Sequence, residues 1–234
     1  MTKGNFLKPI NEKKIMTELS KRIERLFLKL DRAALAVEQH LSDLLFALYA
    51  DNLAESDAII LADEEIDRCE VEIERECIRL LALYQPAASD LRKICFAVKV
   101  NSDLERIADN CVSSAKMMKI LVGDNISVNQ FPLFRNLADL VVEAVHQTSR
   151  LISVNCDEQF AIEIIKNDRL IVDKAYRDFL QSIFAQTDRF NNQINAVYAL
   201  TSIGRALERV GDLCSNIAED TVFMLTGEIV RHSI

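Results

Sequence analysis

Turn-forming and helix-breaking residues are scarce in this chain of 234 residues, which has five glycines, three prolines and no tryptophan. So few breakers leave long uninterrupted segments, and helix-favouring Ala, Leu, Ile, Glu and Arg fill them. The basic residues form no run, and the net charge is -8 with a pI near 5.0. Phosphate-backbone recognition draws on clustered Lys and Arg, so nucleic acid is excluded as a partner. No apolar stretch approaches the ~20 residues that span a bilayer. The polar start, Met1 to Lys14, has no apolar segment of the signal-peptide kind. None of the six cysteines stands in a C-x-x-C arrangement. They are expected as reduced residues of a cytoplasmic protein rather than a disulfide frame or a zinc site.

Motifs of common enzyme chemistries are absent as well. There is no G-x-S-x-G, no phosphate-cradling G-x-x-x-x-G-K-[ST] and no G-x-G-x-x-G. The reading is of a non-enzyme.

What remains is strongly helical. Half of the residues are hydrophobic and 27% are charged, a profile of globular rather than disordered chains. The periodicity predicts helices over 12–51, 55–84, 87–122, 132–154, 158–188 and 191–227. Helices of about 30 residues would each be about 45 Å long. Ser89 and Asp90, after Pro86, are the expected caps of the third. The segment 123–131, with Gly123 and several polar residues, divides the chain near its midpoint. The expected fold is all-α, a tandem repeat of two antiparallel three-helix bundles. Residues 1–11 are a loose tail, 12–122 the first repeat, 123–131 the linker and 132–234 the second repeat.

The third and sixth helices carry matching apolar stripes. One runs through Ala97, Val100, Leu104, Ile107, Cys111, Ser114 and Met118. The other runs through Leu200, Ile203, Leu207, Val210, Cys214, Ile217 and Thr221. Beside each stripe stands an acidic pair four residues apart, Glu105/Asp109 and Glu208/Asp212. Both belong to a repeated L-E-R-x-x-D. Like charges at that spacing share a helix face and cost roughly 0.2–0.5 kcal/mol per pair. A sequence that makes this placement twice is expected to offset it with cations, either basic side chains or metal ions. In the second copy the acidic edge continues through Asn216 and Glu219, with Gly211 and Ser215 keeping that side small. In the first it continues through Ser113 and Lys116, and Lys116 can supply the offsetting charge itself.

Oxygen donors along one face suit hard or borderline cations, and neighbouring helices must complete such a site. The second helix offers Asp63, Asp67, Glu70 and Glu74, of which Glu70 and Glu74 read as solvated structural acids. The fifth offers Asp168 and Asp173, one residue further apart than Asp63 and Asp67. Glu143-Ala-Val-His146 is a single E-x-x-H. Di-iron bundles use two, and Leu41 stands where the second histidine would be, beside Glu38.

Three stretches resemble the PhoU family of phosphate-uptake regulators. They are Glu72 to Arg92 with its Q-P-x-A-x-D-L-R turn, Asp103-Leu-Glu-Arg-Ile-Ala-Asp109, and Leu207 to Glu219 with the tail Leu225 to His232. The resemblance implies paired three-helix bundles whose E-x-x-x-D motifs hold metal clusters. By position the ligands would be Glu105, Asp109, Glu208 and Asp212, joined by Asp67, Asp173, Asn216 and Glu219. Iron is the metal it implies first, with zinc, manganese or magnesium as alternatives. It also implies contact with a phosphate ABC transporter ATPase and a phosphate sensor histidine kinase, docking at membrane proteins without entering the membrane. A homodimer is a further expectation. Ala108 departs from the family's motif glycine in the first copy. The alternatives are a carboxylate-bridged metal enzyme and a helical scaffold or chaperone serving another transporter.

Overall fold

A computed structural model describes residues 12–153, 157–186 and 193–230. Six helical rods stand in the expected order, and the described residues contain no strand. They are α1 (Glu12–Ala50), α2 (Leu53–Tyr84), α3 (Ala88–Gly123) and α4 (Pro132–Ser153), then a fifth rod and α7 (Ile194–Thr226). The fifth rod comprises α5 (Glu158–Asn167), one π turn (Asp168–Val172) and α6 (Asp173–Phe184). The expected tail, Cys156, His232 and most of the connection between the last two rods lie outside the described residues.

Each rod forms because its apolar residues recur every three or four positions. In α1 the buried series is Leu19, Ile23, Leu26, Leu30, Ala34, Val37, Leu41, Leu44 and Leu48. Both stripes read from the sequence in α3 and α7 are buried at every position. Asn52 caps α2, its Oδ1 accepting from the backbone N–H groups of Ala54 and Glu55. The cap expected for α3 does not form. Ala87 takes the N-cap position in an extended conformation with no side-chain bond, and Ser89 and Asp90 fall inside the first turn. Between 123 and 131 the chain packs on the core through Val128 and Phe131, both buried.

Helices α1, α2 and α3 pack against one another, and α4, the fifth rod and α7 do the same. The halves join chiefly along α3 and α7, with α1 against α4 as a second seam. α3 and α7 run antiparallel. Near the start of α3, the Arg92 Nε donates to the Met224 carbonyl at the end of α7 over 3.2 Å. Further along, Lys99 reaches Asp220. This register brings Glu105 level with Asp212 and Asp109 level with Glu208. The two acidic motifs therefore lie at one height along the bundle, each beside its own half's neighbouring helix.

Candidate metal centre

In the second half three carboxylates converge. One oxygen each from Asp168, Asp173 and Asp212 lies within 4.8 Å of the other two. Asp212 comes from α7, and the other two flank the π turn of the fifth rod. On a regular α-helix residues five apart diverge by about 140°. The wider π turn absorbs the extra residue, and the Asp173 N–H bonds back to the Asp168 carbonyl. Burial along the rods has the same one-residue step. Ser56 and Ile59 of α2 correspond to Ala161 and Ile164, whereas Ile73 and Cys77 correspond to Phe179 and Ile183, one residue later. With that step allowed for, Asp168 and Asp173 repeat Asp63 and Asp67.

Asp168 is 5% exposed, and its Oδ1 has no hydrogen-bond partner. Burial pushes its carboxyl up to about 7, reinforced by the charges of Asp212, Asp173 and Glu208 and opposed by a hydrogen bond from Ser215. Glu208 is raised by burial, then by Asp212 and Asp173, against the pull of Arg205 and Arg209. Asp212 is raised by burial and by Asp173, against Arg209. Gly211 makes the close approach possible. A Cβ there would stand 2.6 Å from Asp168 Oδ1 and 3.0 Å from the Val172 Cγ1.

A buried carboxylate with an orphaned oxygen, converging with two further acids, fits a hard or borderline cation, whose preferred donors are carboxylate oxygens. Asp168, Asp173 and Asp212 would hold it, with Glu208 at the margin. Sequence reasoning places Asp168 on the fifth helix without singling it out, because a five-residue spacing looks like a break in the pattern. Asn216 is half-buried one turn beyond Asp212. Glu219 lines a small cavity with Lys99, Asp220 and Ile229 near the end of α7. Glu219 is not among the three converging carboxylates.

The first half is looser. Burial raises Glu105, aided by Asp109, Asp67, Glu70 and Asp63, so five acids share one neighbourhood. Burial with Asp67 and Asp109 raises Asp63 to about 6, and Lys116 draws it back. Among the described residues, however, no three oxygens of these acids come as close as those in the second half. Asp67 and Asp109 are exposed and Glu105 is half-buried. The E-x-x-H reading dissolves. Glu143 accepts from Gln147, while the His146 Nδ1 pairs with Glu38 across the α1–α4 seam at 2.8 Å.

The same two units appear on comparison with known proteins. The PhoU domain model matches residues 30–118 and again 134–221. The chain belongs to the PhoU family. It is 30% identical to the phosphate-specific transport system accessory protein PhoU of Serratia marcescens, over 84% of this chain and 79% of that one. Against the PhoU homolog of Aquifex aeolicus, 30% identity extends over 92% of this chain and 96% of that one. The crystal structure of PhoU from Pseudomonas aeruginosa matches with a TM-score of 0.82 at 27% identity, over 89% of this chain and 99% of that one. The phosphate transport system regulatory protein PhoU from Streptococcus pneumoniae gives 0.80 at 26%, over 91% and 99%. The expected pair of three-helix bundles is therefore the PhoU architecture. No described helix is long and apolar enough to cross a membrane.

Proposed function

We propose that this chain is a cytoplasmic accessory regulator of phosphate uptake and phosphate signalling that acts by protein contact and performs no catalysis. The observation that carries the reading is the PhoU match in both halves, over 79% and 96% of the length of two relatives named for the phosphate-specific transport system. Its partners are the ATPase of a phosphate ABC transporter and a phosphate sensor kinase. Metal ions, iron first among them, are held by the second half's acids, with Asp168, Asp173, Asp212 and Glu208 as ligands. A bound cation would neutralise the converging carboxylates and tie the fifth rod to α7, fixing the surface that partners meet. The metal-enzyme alternative loses its support at His146, whose ring is engaged by Glu38 rather than by a second ligand set.

The test is deletion in phosphate-replete cells with a phosphate-responsive reporter, beside capture of the tagged protein's partners. Raised reporter output and recovery of the ATPase or kinase support the reading. Unchanged output together with capture of neither overturns it.

A further inference from the structure

The two halves repeat each other in sequence, but their acidic sites are built differently. Position 211 is glycine and admits the buried Asp168 against α7. The matching position in α3 is Ala108, which is fully buried. A methyl at the equivalent place in α7 would stand 2.6 Å from the Asp168 Oδ1. Asp63, the counterpart of Asp168, is correspondingly only half-buried. The first half also carries its own cation on the acidic edge, because Lys116 stands where α7 has Glu219. Among the described residues, the group of three closely converging carboxylates is found in the second half. Its Asp168 Oδ1 is a buried acceptor with nothing to accept.

We infer that this protein has one preformed cation centre, in the second half and anchored by Asp168, and that Gly211 against Ala108 decides which half has it. The inference rests on the metal reading above and goes further by making the two sites unequal. Three oxygens already held within 4.8 Å of one another, one of them on the buried Asp168, bind without first gathering their ligands, so the second half fills first. The first half's acids do not converge as a group of three and share their edge with Lys116, and they bind at least tenfold more weakly.

The test is calorimetric titration of metal-free full-length protein with manganese(II), and separately with anaerobic iron(II), alongside thermal melts with and without each ion. The wild type should show one tight event and a metal-dependent rise in Tm. Asp168→Asn, close in size and shape, should weaken that event by more than tenfold and erase the Tm rise while still melting cooperatively. Gly211→Ala should do the same. A Glu105→Gln/Asp109→Asn double variant should leave the tight event unchanged, and Ala108→Gly/Lys116→Gln should strengthen the weak one. Two equal tight events, one of them lost in the Glu105/Asp109 variant, would overturn the inequality while leaving the metal reading intact. No binding of either ion would overturn both.

Discussion

Lys99 and Asp220 close the seam between the two repeats, with the Lys99 Nζ 2.7 Å from the Asp220 Oδ1. Asp220 is 4% exposed whereas the lysine is half in solvent, so the pair is an acid buried under a flexible cationic lid. The lysine also lies over the Phe223 ring, 5.8 Å from its centroid. Removing one partner of a fully buried pair costs roughly 3–5 kcal/mol because the other charge is stranded. Here water can reach the lysine's place, and Lys99→Met should cost about 2 kcal/mol. Asp220→Asn, which strands no charge, should cost less. Urea unfolding of both single variants and the double variant measures the coupling, and a coupling near zero would reduce the bridge to a surface contact.

At Gly204 the α7 backbone lies close against the aromatic cluster. A Cβ there would stand 2.7 Å from Phe179 Cε1. Phe179 is fully buried, with Phe134 5.5 Å and Phe131 6.3 Å away between ring centroids. The ring cannot swing out of such a set without moving the others. Gly204→Ala should therefore destabilise by about 1–3 kcal/mol, as overpacked cores do, despite alanine's better helix propensity. A thermal melt decides it, and an unchanged or raised Tm would mean that the cluster has room to give.

His146 and Glu38 form a partly exposed contact between α1 and α4. Such pairs contribute about 0–1 kcal/mol. His146→Ala should lower stability by less than about 1 kcal/mol and leave the metal content of the purified protein unchanged. Elemental analysis checks the second point, and a loss of bound metal would bring the E-x-x-H back as a ligand pair.

Much of this was legible in the residues, and the exceptions have physical causes. The α3 and α7 stripes could be read because a helix buries every third or fourth residue, and all fourteen named positions are inside. The pairs Glu105/Asp109 and Glu208/Asp212 could be read because they keep α-helical spacing. Asp168 could not be matched to Asp63 so directly. The π turn adds one residue, and α-helical counting rotates Asp173 off the shared face. The one-residue shift in the buried series was the available signal. Arg92 closes the end of α7 through the Met224 carbonyl. A contact between residues so far apart in sequence leaves no local trace.

The crowded acids also fix how the metal-free protein answers to pH. Burial and neighbouring acids raise Asp168 to about 7 and Asp63 to about 6, above the ordinary value near 3.8. Both groups thus bind protons more tightly when folded than when unfolded, so stability falls as pH rises between the two values. Well below pH 4 both states are protonated and the penalty vanishes. Above pH 7 it is nearly complete, on the order of 4 kcal/mol for Asp168. The Tm of chelator-treated protein should rise as pH drops from 8 to 5.5, against the usual acid destabilisation of proteins whose carboxylates are paired. Asp168→Asn should be more stable than wild type at pH 8 and should flatten the slope. A bound cation favours the ionised carboxylates and should abolish the trend. A metal-free Tm that falls steadily over the same range would show that these acids are relieved by solvent or by Arg205 and Arg209, with no cation needed.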